Sequence, residues 1–192
     1  IANLSWNNKR WQEPIINPNA NHSYATKFPG HESLNFKFNK TIDNNNEIYG
    51  YVETSGKRFR QYEDGGIFIF YSNNTDKHIG QIVGIYGNVE VLNQRLETEH
   101  INFENNTLWS NLKADKDLSV LFPIYLKSGK YKKYNNQQRL AGQIGFSYYD
   151  DKNLVEEILE NSKKQNIVID LSKWVYLNIK YHKPGTVVVD SH

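Results

Sequence analysis

Two short apolar runs joined by a polar turn constrain this chain more than anything else in it. Ile67–Tyr71 is a β-branched and aromatic run, Ser72–Lys77 is polar, and Gly80–Tyr86 returns as a second apolar run. Such side chains pack well on a pleated surface, and the interruption suits a hairpin connection, so the segment predicts two antiparallel strands. A lone hairpin is barely stable in water and needs further elements to cover it. Ser33–Phe38 alternates apolar and polar residues like a half-buried strand, and Glu47–Val52 is a second candidate. Val89–Leu92 continues the hairpin, and Val120–Leu126 reads as another strand with Pro123 at an edge or a bulge. Leu154, Val155, Ile158 and Leu159 recur at helical spacing within Asn153–Ser162. Trp174–Tyr181 alternates again, residues 93–119 read as polar and irregular around Trp109, and Lys127–Arg139 reads as a basic loop. Pro14, Pro18 and Pro29 break any long helix near the start, and residues 1–30 read as an irregular N-terminal extension. The expectation is one mixed α+β domain over residues 1–192, built on a sheet that curls or closes into a small barrel.

Composition narrows the chemistry. With 38% hydrophobic residues the chain has enough apolar material for a core. Zero Cys excludes disulfides, Cys-ligated zinc, iron–sulfur clusters and thiol nucleophiles. The net charge is only +2, so a nucleic-acid surface has to be a local patch. No stretch resembles a membrane span or a signal-peptide core, which makes the cytoplasm the expected compartment. Zero Met, with Ile1 first, reads as something other than an intact open reading frame.

Common catalytic signatures are missing. The sequence has no Gly-rich phosphate loop followed by Lys-Ser/Thr, no Gly-x-Ser-x-Gly and no His-Glu-x-x-His. The six histidines are scattered, and His31 stands beside Glu32. No catalytic residue, metal or cofactor is expected within these residues.

What the chain does contain is basic residues interleaved with rings. Lys57, Arg58 and Arg60 surround Phe59 and precede Tyr62, and Lys130, Lys132, Lys133 and Arg139 surround Tyr131 and Tyr134. Cations neutralise phosphates while ring faces stack on bases, so these residues are candidate nucleic-acid contacts. Tyr71, Trp109, Tyr148 and Tyr149 lie near strand ends or in loops, where rings can sandwich an extruded base, whereas Phe68, Phe70 and Trp174 read as core.

Ile67–Ser72, Ile82–Tyr86 and Val89–Val91 resemble the central hairpin of the EVE and YTH branch of PUA-like domains, with Tyr49–Thr54 where the first strand of that family ends in its pocket. His31–Phe36, Ile85–Glu90, Leu118–Pro123 and Gly142–Phe146 are similar to segments of archaeal McrB-type, modification-dependent restriction factors. The resemblance implies a PUA-like α+β fold with flanking helices. It also implies a DNA-binding targeting module that flips a modified, most simply methylated, base into an aromatic pocket. Trp109, Tyr71, Thr54, Ser55, Phe36 and Tyr148 are the base-pocket candidates it suggests. Glu53-Thr54-Ser55 stands where YTH relatives have a cage tryptophan, with Trp109 the nearest match in order to a second one. GTP, Mg²⁺ and an McrC-like nuclease partner would belong to a motor domain outside these residues, leaving this part without enzyme activity. An RNA-binding PUA-like domain is the alternative. A metal-dependent hydrolase using Asp64, Asp76, Asp115, Asp150 and Asp151 is a distant third.

Overall fold

The computed structural model describes residues 1–16, 27–38, 46–57, 59, 65–101, 106–134, 140–141, 145–149, 151–167 and 169. Five strands form one mixed sheet: β1 (Ala2–Leu4), β2 (Glu47–Gly50), β3 (Gly66–Asn74), β4 (Ile79–Ile101) and β5 (Asn106–Lys127). Their order is β1-β3-β4-β5-β2, with β1 parallel to β3 and every other pairing antiparallel. The helix α1 (Lys152–Lys163) packs against the sheet, and 3-10 turns occupy His31–Leu34 and Ser128–Tyr134. The chain is therefore mixed α+β, as expected. Among the described residues the edge strands β1 and β2 do not pair with each other, so the sheet is open.

Both faces of the sheet are buried. On one, Trp11 and Phe36 of the N-terminal segment pack on Phe70, Val83, Tyr86 and Leu112. On the other, Leu154, Val155, Ile158 and Leu159 of α1 pack with Tyr131 on Ile69, Ile82, Ile85 and Phe122. Strict alternation would put Ile82 and Ile85 on opposite faces, yet both lie on the helix side. A bulge resolves this: Phe70 pairs with Gly84 but Tyr71 pairs with Ile82, leaving Val83 as an extra residue in β4. The bulge also explains Gly84, because a Cβ there would sit 2.4 Å from the Val120 carbonyl oxygen and 2.6 Å from the Phe36 ring.

Several expectations change. Residues 93–119 are mostly strand, carrying the far half of the β4–β5 ladder. Asn93–Glu97 are exposed, so that stretch shows no apolar alternation, and after Val91↔Leu112 the ladder resumes only at Leu96↔Ser110. Ser33–Phe38 is not a strand: the Ser33 N–H donates to the Gly30 carbonyl in a 3-10 turn, and Ser33, Asn35 and Phe36 are all buried. Pro123 falls where four residues of β5 lie opposite one of β4, between Leu121↔Gly84 and Leu126↔Ile82. It is a bulge proline, one of the two expected settings. The first residues of the expected extension supply an edge strand, β1. The basic loop begins as the 3-10 turn Ser128–Tyr134, while 135–139 and Trp174–Tyr181 lie outside the described residues.

Beyond β2 the chain is held by side-chain amides acting as strand surrogates. The Asn35 Nδ2 donates to the Tyr51 carbonyl and the Tyr51 N–H donates back to Oδ1, both at 2.8 Å. Asn111 does the same for Val52, at 2.8 and 2.9 Å. Both amides are buried, and the Tyr86 hydroxyl donates to the Asn35 carbonyl. Gln165 makes the same two-bond pairing with Ile124, at 2.8 Å each, but in an exposed setting.

This contrast gives a prediction. Asn111→Ala strands a buried N–H and a buried carbonyl, and should lower unfolding stability by about 2–4 kcal/mol. Gln165→Ala exposes the same two groups to water, and should cost well under about 1 kcal/mol. Equal losses in urea denaturation would show that burial does not set the strength of these amide pairs.

Candidate ligand cleft

Strand β1 covers β3 only at Phe70, Tyr71 and Ser72. The β3 edge from Gly66 to Ile69 therefore has no strand alongside it among the described residues, and a cleft opens there. The cleft holds about 70 Å³ and is lined by β3 residues, by Phe59, by Phe146, Tyr148 and Tyr149, and by Asp151, Leu154 and Val155 at the start of α1. A cavity of about 150 Å³ accommodates a benzene ring. The cleft is smaller than that, and Tyr148 in its wall is 40% exposed.

The cleft is walled by rings packed on one another, one pair stacked and the others edge-to-face. Phe59 stacks on Phe146 at 4.4 Å and meets Phe68 edge-to-face at 5.6 Å. Phe146 in turn meets Tyr148 at 5.4 Å, 83° between planes. The 145–148 segment is fixed through Ala2↔Phe146, through Asn3 N–H to the Gly145 carbonyl at 2.8 Å, and through Ser147 N–H to the Ile1 carbonyl at 2.8 Å. Gly145 has φ +83°, and a Cβ there would lie 3.3 Å from the Glu53 carbonyl oxygen, so the 53–59 loop and this segment lie against each other. The Asp151 side chain caps α1, accepting the Asn153 N–H at 2.9 Å.

A polar cluster lies on the other side of Glu53. The Trp109 N–H donates to His31 Nδ1 at 3.4 Å, and the His31 and Tyr51 rings meet edge-to-face at 4.9 Å. The Tyr51 hydroxyl donates to Glu53 at 3.0 Å, and the Arg95 guanidinium lies 5.5 Å from the centre of the Tyr51 ring. Burial, then Arg95, hold His31 below its usual range, with Glu53 partly opposing them. Burial and Glu53 push the Tyr51 hydroxyl up to about 12. For Glu53 itself burial acts upward, but the Ser55 N–H, the Tyr51 hydroxyl and Arg95 together bring it below the usual carboxylate range.

The expected pocket residues separate. Tyr148 lines the cleft. Thr54 and Ser55 follow Glu53 on the loop that leads to Phe59, and Trp109 is half-buried beside His31. Tyr71 is half-buried, its hydroxyl 2.4 Å from where a Gly80 Cβ would sit and with Ser128 beside the same point. Phe36 is a core residue, 1% exposed, ringed by Trp11, Phe38, Phe70 and Tyr86. Of the basic residues, Lys57, Lys130, Lys132 and Lys133 are exposed, while Arg58, Arg60 and Arg139 lie outside the described residues. Lys133 pairs with Glu157 at 2.7 Å, and Tyr131 is core with its hydroxyl accepting from Asn161. Phe59 and Phe146 were not singled out as site residues. The signal for Phe59 was its place between Arg58 and Arg60; Phe146 offered none.

The candidate acids serve separate local structures. Asp76 accepts the Trp6 Nε1–H, Asp115 accepts from Asn88, and Asp151 caps α1; Asp64 and Asp150 lie outside the described residues. Among the described residues no three His, Asp or Glu side chains gather as a metal site requires. No helix among them is long and apolar enough to cross a membrane.

Comparisons with family models, curated proteins and solved structures return no match.

The His31 environment fixes a pH dependence. Because folding lowers the His31 pKa, its contribution is present above the unfolded value of about 6.5 and is lost as pH falls through the folded value. Melting temperature should fall between about pH 7 and pH 5, above the range where carboxylates titrate, and His31→Gln should flatten that segment. An unchanged slope in His31→Gln would place the dependence on another group.

Proposed function

We propose that this chain is a nucleic-acid-binding module of the PUA-like, EVE/YTH type, which takes an extruded, modified base of DNA into the Phe59–Phe146–Tyr148 cleft. The observation that carries the reading is Phe59. Its ring forms part of the cleft wall while Lys57, Arg58 and Arg60 are its near neighbours in sequence, which ties a stacking surface to a phosphate-binding run. The ordered hairpin motifs described from the sequence support the same reading.

A second basic element lies beside α1. Tyr134 and Lys133 of the Ser128–Tyr134 turn both contact Glu157, one helical turn along α1 from the cleft residue Leu154. Lys133 is held by that carboxylate, whereas Lys130 and Lys132 are exposed and point to phosphate contacts.

Extruding a base costs a few kcal/mol, and stacking on rings returns about 1–3 kcal/mol per base. Phosphate neutralisation supplies the rest, so affinity should depend steeply on salt. The cleft is small enough to take the substituted edge of a base ahead of its whole ring. Burying one methyl group there contributes only about 0.8 kcal/mol, so discrimination for a methyl alone is modest.

Fluorescence anisotropy with matched duplexes, unmodified or carrying 5-methylcytosine or N6-methyladenine, tests the reading, with an RNA strand as control. Tighter binding of one modified duplex, weakened about tenfold by Tyr148→Ala, is the expected result. Replacing Lys130 and Lys132 with Ala should reduce the salt slope by nearly two and leave base preference intact. Preference for RNA over every duplex would replace DNA by RNA as the ligand, and no binding of either would end the proposal.

A further inference from the structure

The lining of the cleft points to the charge of what it holds. Phe59, Phe68, Phe146, Tyr148 and Tyr149 contribute rings, Ile67, Ile69, Leu154 and Val155 contribute aliphatic surface, and the one side chain charged at neutral pH among the described lining residues is Asp151. Lysine, arginine and histidine side chains are absent from that lining. Ring faces carry negative potential and attract cations, and steeply angled rings form a box around a compact one. Here the pairs Phe59–Phe68 and Phe146–Tyr148 stand 69° and 83° apart.

Asp151 adds the second half of the argument. One carboxylate oxygen, Oδ1, is engaged by the Asn153 N–H, and among the described residues Oδ2 accepts no hydrogen bond. The α1 N-terminus beside it opposes a cation with about half a positive charge, which is outweighed by the full negative charge of the carboxylate. Burial lowers the Ile1 amino group, which also borders the cleft, to about 5, so among the described lining groups the Asp151 carboxylate is the charge presented at neutral pH, and it favours a positive ligand.

Building on the proposed base-binding role, we infer that the cleft selects a positively charged, ring-N-alkylated base over its neutral counterparts. The methyl-bearing, electron-poor edge of such a base is compact enough for a space of about 70 Å³. It presents its positive charge to the rings and to Asp151.

The cleanest probe is a pair of isomers. 1-Methyladenine is cationic near neutral pH and N6-methyladenine is neutral, with the same methyl and the same ring. Each would be placed once in the same single strand, so that no pairing has to be broken, and binding to the full 192-residue chain measured by anisotropy. The strand with 1-methyladenine should bind about 2- to 30-fold tighter, the range expected for a cation against ring faces. Asp151→Asn should shrink that ratio, and the fold is protected because Asn caps a helix as well as Asp does. Tyr148→Ala should weaken both strands. Equal binding of the two isomers, with both weakened by Tyr148→Ala, would overturn charge selection and leave the base-binding role standing. Binding of neither strand would overturn both. A ratio unchanged in Asp151→Asn would remove the carboxylate from the selection and overturn the inference as stated.

Discussion

The buried amide clamps of Asn35 and Asn111 are the constraint on which the rest of the structure depends. Strand β2 pairs with β5 only through Gly50, and the next two residues leave the ladder while remaining in the interior. A buried peptide group without partners costs about 1–3 kcal/mol, so this exit is tolerable only because two carboxamides complete four backbone bonds. One amide comes from the N-terminal segment and one from β5, so the clamp joins three distant parts of the chain. It also sets the path of Glu53 and the loop beyond it, which carries Phe59 to the cleft. The cleft is thus positioned by hydrogen bonds made well away from it.

How much of this the sequence disclosed depends on which physical signal each element carried. The β3–β4 hairpin buries both faces and is legible as two apolar runs, whereas α1 buries one face and is legible as a helical period. The far half of β4 and β5 has little apolar burial on β4, so nothing in its composition separates it from a loop. Asn35 and Asn111 look like ordinary polar residues, because their role depends on where Tyr51 and Val52 arrive in space. Phe36 and Tyr148 show the same limit for the site. Both are aromatic residues near strand-like segments, yet one is closed in the core and the other stands at the cleft mouth. Ring content is visible in one dimension, whereas the choice between packing and presentation is made by the fold.

The two faces of the sheet divide the work. The face covered by Trp11 and Phe36 is dense with edge-to-face ring pairs among Trp6, Trp11, Phe36, Phe70, Tyr86 and Tyr125. The face covered by α1 is mainly aliphatic and carries the exposed lysines of the Ser128–Tyr134 turn at its margin. The cleft sits where the two meet, at the end of β1.

The shortness of β1 bears on the order in which the molecule assembles. The β3–β4 and β4–β5 ladders join neighbours in sequence and close short loops, so they form at little entropic cost. Ala2 must instead find Phe70, and Phe146 must find Ala2, across long stretches of chain. The wall of the cleft is therefore among the last parts to be completed on folding and among the first to open by local fluctuation. Completion of the cleft is thereby tied to the docking of residues 1–4 and 145–148 on the sheet.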